Sequence, residues 1–386
     1  MTERWLRRGG GWFLVGLALL AAAASASYIE EEFQGAPPSR PEPRILPPPP
    51  TPPPPPPPGH HVPALAVYLE RLEVRRPLVH GRLAVFPVAL RGRAPLAGGW
   101  WTTDAAIAKG ILVVSEKGGG GTVPVVVMEN RGRRDWVFVM AGEVISGGKQ
   151  TRTVRQDTVL SPGQRVETPV FCVEARRWRG ADGFTGGALL VPQSIQREMR
   201  KGADQGQVWA EVSRNNAALG ASNDTDSLET GLKAGPVRRD LDEVRRHIVP
   251  EVPADSVGFI FADRLTGRGL GAEFFGRADL AGALLGKLID AYAVDLVLQT
   301  ERAWQPGGAT AESVAWDFLD RVRRAGSHHG GTPGSGAGIG TRAGGLVGDG
   351  VALGDDLVHF GCQVEERILT PPPVPRPRGG GAGMRE

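Results

Sequence analysis

Val123-Pro124-Val125-Val126-Val127-Met128, the turn residues Asn130-Arg131-Gly132, and then Trp136-Val137-Phe138-Val139-Met140 set the architecture. Both apolar runs are too short for a helix that could hold itself together, and they are rich in residues that lose χ1 freedom in a helix and fit a pleated surface. Turn residues between them punctuate strands. The same grammar extends in both directions. Upstream lie Leu83-Ala84-Val85-Phe86-Pro87-Val88 and Ile111-Leu112-Val113-Val114, with Thr103 to Gly110 between them reading as a short helix that has a capping residue at its start and a C′ glycine at its end. Downstream, Thr151 to Leu160 and Arg165 to Glu174 read as two strands joined by Ser161-Pro162-Gly163. This half is expected to be mainly antiparallel β.

Past Trp178 the apolar spacing becomes helical. Gln193 to Met199 and Gln207 to Ala218 are expected helices, and Asp279 opens a longer one with Leu280, Leu284, Leu288, Tyr292 and Leu296 at steps of four, a stripe that faces a core. Ser313 starts another helix, while Val257 to Phe261 and Leu357 to Cys362 read as strands. Strands first, then helices mixed with strands, give an α+β fold with a helix-and-strand C-terminal half, flanked by disordered segments. Gly326 to Gly350 includes Gly334-Ser335-Gly336-Ala337-Gly338-Ile339-Gly340, but no lysine followed by serine or threonine closes it, so it reads as a flexible glycine loop and not a phosphate loop.

The ends are compositionally distinct. Arg4, Arg7 and Arg8 precede an apolar run from Trp12 to Ala26 that finishes in Ala24-Ser25-Ala26, the order of a secretory signal over residues 1–26. At about 15 residues the run falls short of the ~20 of a membrane span, which favours cleavage over an uncleaved anchor. The signal would touch the membrane only during export, leaving the protein periplasmic, cell-surface or secreted. Residues 27–63 are a linker in which Pro47 to Pro58, broken only by Thr51, must run as polyproline II, a strut of about 37 Å able to space a domain from a surface or to meet a polyproline-binding partner. The folded body is placed at 64–369, and 370–386 is a proline- and glycine-rich tail.

Forty-five basic against 42 acidic residues leave a net charge of +3, which gives no reason to expect nucleic acid. Two cysteines, Cys172 and Cys362, form no zinc spacing, and two buried, unpaired thiols are expected over a disulfide. No metal or cofactor is implied. His60-His61 and His328-His329 fall in segments expected to be flexible and add nothing to a catalytic reading.

Chemistry concentrates in two polar strings. Gly142-Glu143-Val144-Ile145-Ser146-Gly147-Gly148-Lys149-Gln150-Thr151-Arg152 places Gln150 and Arg152 on one strand face beside a glycine pair, and Cys172-Val173-Glu174-Ala175-Arg176-Arg177-Trp178 places Cys172 and Glu174 together. Were these strands to converge, Glu143, Lys149, Gln150, Arg152, Glu174 and Trp178 would suit a small anionic ligand carrying a flat ring. The alternative is a buried ion-pair network that fixes strand register.

The first string, with Pro169-Val170-Phe171-Cys172-Val173-Glu174 and Arg177-Trp178, resembles the ARG and rhodanese-phosphatase-superfamily-associated protein domain family from about Tyr68 to Gln363. The resemblance implies a role near ADP-ribose or another nucleotide-derived ligand and carries the family's polar motif onto those six residues. Thr151 and Gly148 stand where asparagine and alanine are expected. Three functions follow: an exported domain that binds or senses an anionic ligand, an enzyme acting on a phosphorylated or ADP-ribose-type substrate, or a structural envelope protein.

Overall fold

The computed structural model describes residues 60–94, 96–118, 124–180, 183–297 and 311–365. The expected signal, the proline strut and the tail lie outside the described residues, and all that follows concerns the unit spanning 55–386.

Helix α1 (Pro63–Glu70) starts on a proline, whose missing N–H costs nothing at a helix start. Strands β1 (Leu72–Val74) and β2 (Leu78–His80) line one edge of β3 (Leu83–Leu90). Strand β4 (Trp100–Thr102) runs directly into α2 (Thr103–Ala108), which Gly110 ends at φ +68°. Eight further strands follow: β5 (Leu112–Glu116), β6 (Val125–Asn130), β7 (Trp136–Val139), β8 (Glu143–Gly147), β9 (Arg152–Val154), β10 (Thr158–Leu160), β11 (Arg165–Cys172) and β12 (Phe184–Leu190).

The C-terminal half opens with α3 (Gln193–Arg200), α4 (Gln205–Ala218), α5 (Leu228–Leu232) and α6 (Gly235–Ile248). Strands β13 (Gly258–Asp263) and β14 (Arg268–Phe275) precede α7 (Ala278–Val297) and α8 (Ala311–Ala325), and β15 (His328–Gly330), β16 (Ala337–Ala343), β17 (Leu346–Leu353) and β18 (Asp356–Val364) complete the described chain. The α+β expectation holds, with an antiparallel N-terminal half and a helix-and-strand C-terminal half.

Six strands form one sheet in the order β12-β8-β9-β11-β6-β5, and a bridge between Ser115 and Gly183 brings β5 back to the entry of β12, so the strands come round on themselves. Leu112, Val114, Val126, Met128, Ile145, Val154, Val170 and Phe184 belong to one apolar cluster of this part. A three-stranded sheet, β10-β7-β4, adds the one parallel pairing among the described strands, β4 with β7. Asn130 locks the turn identified from sequence: its Nδ2 donates to the carbonyls of Asp135, Leu160 and Ser161, and its Oδ1 accepts from the Gly132 N–H.

The large sheet runs β1-β3-β13-β14-β18-β17-β16-β15, with β2 also on β3. Its two-residue period sends Leu83, Val85, Phe259 and Phe261 to one core and Ala84, Phe86, Ile260 and Ala262 to another. The first core includes the α7 stripe, where Leu280, Leu284, Leu288, Tyr292 and Leu296 are all buried as its spacing requires, and the second includes residues of α1 and α8.

Three expectations need correcting. The stretch 326–350 is not a structureless loop, since β15, β16 and most of β17 lie in it, and several of its glycines sit where neighbouring strands approach too closely for a side chain: a Cβ on Gly348 would meet the Gly361 carbonyl at 2.6 Å. Thr151 to Leu160 is two strands in different sheets, because a turn at Arg155–Asp157 redirects the chain. His61 is tied into the body through Ser327 Oγ at 3.2 Å and the Arg323 carbonyl at 2.9 Å.

Candidate functional site

The two polar strings converge in part. Arg152 on β9 pairs with Cys172 on β11, which places both side chains on one face of the six-stranded sheet, and Glu116 reaches the same region from the end of β5. Arg152 is fully buried. Its Nη1 donates to Gln150 Oε1 at 3.0 Å and to the Cys172 sulfur, and its Nη2 lies 3.6 Å from Glu116 Oε1. Gly148, at φ +55°, turns the chain so that the Lys149 N–H donates to the same Glu116 oxygen at 2.9 Å, while Glu116 Oε2 has no hydrogen-bond partner. Trp178 covers this group from the surface, 48% exposed, with the Arg152 guanidinium 5.5 Å and the Lys149 ammonium 6.0 Å from its ring centre.

Glu174 joins through its neighbours. Its carbonyl accepts from Gln150 Nε2 at 2.8 Å, and its carboxylate accepts from Thr151 N–H, Thr151 Oγ1 and Arg177 Nε at 2.9–3.1 Å. Burial pushes the Glu174 carboxyl up, but the Arg177 and Thr151 donors together hold it below its ordinary value. Burial likewise lifts the Cys172 thiol to about 11 against the pull of Arg152, so this is a protonated, inert thiol. Both cysteines are free and buried, as expected.

Glu143 belongs to a different cluster. It accepts from Lys287 Nζ of α7 at 2.5 Å, from the Met140 N–H at 2.9 Å and from the Thr103 hydroxyl, and Asp104 of α2 holds the same lysine at 2.7 Å. Burial alone would lower the Lys287 ammonium, but Glu143 and Asp104 raise it and keep it charged. The expectation that all six residues form one site is therefore corrected: Lys149, Gln150, Glu174 and Trp178 gather around Arg152, while Glu143 fastens α2 and β8 to α7.

A third group was not singled out from the sequence. His359 on β18 places Nδ1 2.6 Å from Asp157 Oδ2, in the turn between β9 and β10, and Nε2 3.1 Å from Glu273 Oε2 on β14. Tyr292 of α7 donates to Glu273 Oε1 at 3.2 Å. Arg200, the last residue of α3, donates from Nε to Asp349 Oδ1 on β17 at 2.6 Å and places Nη2 3.7 Å from Glu273. Burial would discharge His359, but the two carboxylates raise it to about 10 and hold it as imidazolium. Burial raises the Asp349 carboxyl against the pull of Arg200.

Arg200 and Asp157 line a cavity of about 330 Å³, walled by the glycines of β15, β16 and β17 and edged by Thr341 and Arg342. The Arg200 side chain is 3% exposed, and its Nη1 and Nη2 have no hydrogen-bond acceptor. Burying donors that nothing satisfies costs about 1–3 kcal/mol each, more when charged, and a site for an acceptor is a usual reason. The sequence signal for this group was weak: one histidine inside a strand, with its partners scattered from 157 to 349.

The sequence pattern of the ARG and Rhodanese-Phosphatase-superfamily-associated Protein domain matches residues 71–362. The chain belongs to this family. The matched span contains the Arg152 group, the Glu143–Lys287 cluster and the Arg200 cavity, and it begins just after α1. No curated protein and no solved structure matches the chain.

No helix among the described residues is long and apolar enough to cross a membrane.

Proposed function

We propose that this domain binds a small anionic, hydroxyl-bearing ligand of sugar-phosphate type in the cavity at Arg200, and that it does so as an exported binding or sensing domain. One observation carries the reading: a buried guanidinium with two nitrogens that lack a hydrogen-bond acceptor belongs to the lining of a cavity that glycines of the sheet help to keep open. Arg200 and Arg342 supply charge and donors for an anionic oxygen, while Asp157 and Asp349 accept from hydroxyls. A cavity of about 330 Å³ is at the small end for ligand sites, which matches a pentose phosphate or one end of ADP-ribose better than a whole dinucleotide. The family resemblance, which implies ADP-ribose or another nucleotide-derived ligand, is in keeping with this class.

Export rests on the basic, apolar, small-residue order of the first 26 residues. The enzyme reading draws no support from His359, because both its ring nitrogens are already held by carboxylates and neither is free to take a substrate proton. Calorimetric titration with ribose 5-phosphate, ADP-ribose and inorganic phosphate tests the proposal. Saturable binding to the intact chain is expected, at least about tenfold weaker in Arg342→Ala, whose side chain is largely exposed and pairs with Glu365. Binding of none of the three, or binding indifferent to both Arg342→Ala and Arg200→Met, overturns the reading and leaves a structural role.

A further inference from the structure

Strand β2 and helix α6 bring three metal-ligand side chains together, one of which the sequence keeps more than 160 positions from the other two. His80 stands at the end of β2, and Glu243 and His247 stand one turn apart on α6, so both helix residues face the same way. One donor atom from each lies within 4.8 Å of the other two. His80 Nε2 is 3.6 Å from Glu243 Oε1, and the two imidazole rings are stacked with centres 4.1 Å apart.

We propose that His80, Glu243 and His247 form a binding site for a zinc-class divalent cation. Two features argue for it beyond proximity. First, His247 Nδ1 sits 2.8 Å from the Glu243 backbone carbonyl, so it is the protonated nitrogen and Nε2 carries the lone pair. A ring N–H donated to a carbonyl is the usual outer-shell arrangement that fixes a histidine ligand. Second, the 3.6 Å between His80 and Glu243 is close to the about 3.3 Å between donors of a tetrahedral zinc site with bonds of about 2.0–2.1 Å.

The donor set is two imidazoles and one carboxylate, which suits zinc and its borderline neighbours and not calcium or magnesium. Three protein ligands leave a position open. Glu243 also edges a wide surface groove of about 910 Å³ bordered by Arg239, Arg245 and Arg246, so an anionic oxygen drawn there by the arginines could complete the coordination. Stacked rings cannot both aim in-plane lone pairs at one ion, so binding requires the His80 ring to turn out of the stack while His247 keeps the carbonyl bond that fixes it. Neither histidine is buried, which leaves that rotation free.

The experiment uses untagged full-length chain stripped with a chelator, titrated with zinc chloride by calorimetry and with cobalt chloride by visible absorption. One equivalent of zinc is expected, with cobalt giving a d–d band of four- or five-coordinate intensity. His80→Ala and His247→Ala should each weaken zinc binding at least about tenfold while leaving the circular dichroism spectrum unchanged. Glu243→Gln is the second variant should either histidine change disturb folding. Absence of stoichiometric zinc binding to the wild type, or binding that survives all three substitutions, overturns the proposal. Its failure leaves the Arg200 cavity untouched, since neither the titrants nor the variants overlap.

Discussion

Replacing Arg152 by alanine isolates what the most conspicuous polar string does. The guanidinium is fully buried, and its ion-pair partner Glu116 is buried beside it with one backbone donor, the Lys149 N–H, and one oxygen with no partner. Truncating one member of such a pair strands the other charge in a poorly solvating interior, which costs about 3–5 kcal/mol. The lost contact with Trp178 lies within that figure, since a cation over a half-exposed ring is worth only about 0.5–1 kcal/mol. In a domain of this size roughly 2 °C of melting temperature accompanies each kcal/mol, so Arg152→Ala should melt about 6–10 °C lower. The paired change Arg152→Met with Glu116→Gln removes both charges and should recover at least about 2 kcal/mol relative to the sum of Arg152→Met and Glu116→Gln made singly. Equilibrium urea unfolding followed by tryptophan fluorescence measures all four corners of the cycle. A single-mutant cost below about 1 kcal/mol, or strict additivity in the cycle, refutes the view that this cluster is a buried structural pair roofed by Trp178.

Lys287→Met should cost a similar ~3–5 kcal/mol by stranding Glu143, and adding Glu143→Gln should restore much of it in the same urea assay. His359 is raised from 6.5 to about 10, so the folded protein holds a proton there that the unfolded chain releases; its contribution is fully present below pH 6.5 and is lost as pH rises through 10. Stability measured across that window should fall with pH, and His359→Asn should flatten the slope although Asp157, Glu273, Arg200 and Asp349 remain. Intact mass of exported protein should place the mature N-terminus close to Ser27, whereas a retained Met1 indicates an anchor.

What could be read from sequence tracks how local the cause is. The α7 stripe follows from a four-residue step and α2 stops at its C′ glycine, so both stand where they were expected, although the residue at the start of α2, Thr102, makes no capping bond with its side chain. Helix α6 is hard to read from sequence although Val237, Leu241 and Ile248 recur at helical spacing and are buried, because four arginines and three acidic residues from Arg238 to Arg246 hide the stripe. The register Arg152↔Cys172 was partly legible, since two strand-like strings carried the polar residues. That Glu143 would turn to Lys287 was not, because 144 residues separate them and no local pattern links β8 to α7.

The Arg200 cavity fails the same test for an instructive reason. Glycine density at 326–350 signals freedom when a segment is alone, but in a sheet it signals room. Gly361 on β18 pairs with Glu273 on β14, and a Cβ there would collide with both the Glu273 carboxylate and the Arg200 guanidinium. Gly271 stands likewise against the Tyr292 hydroxyl, which donates to the same glutamate. The glycines are thus the condition for placing an imidazolium, a guanidinium and three carboxylates between a sheet and two helices without filling the space beside them. Gly361→Ala should therefore do more than strain a strand: by displacing Glu273 and Arg200 it should lower stability and weaken ribose 5-phosphate binding together, whereas alanine at Gly354, whose Cβ would meet nothing within 4 Å but whose φ of +59° is costly, should lower stability alone. Equal ligand affinity in the two variants would separate the glycine-made space from the cavity's function.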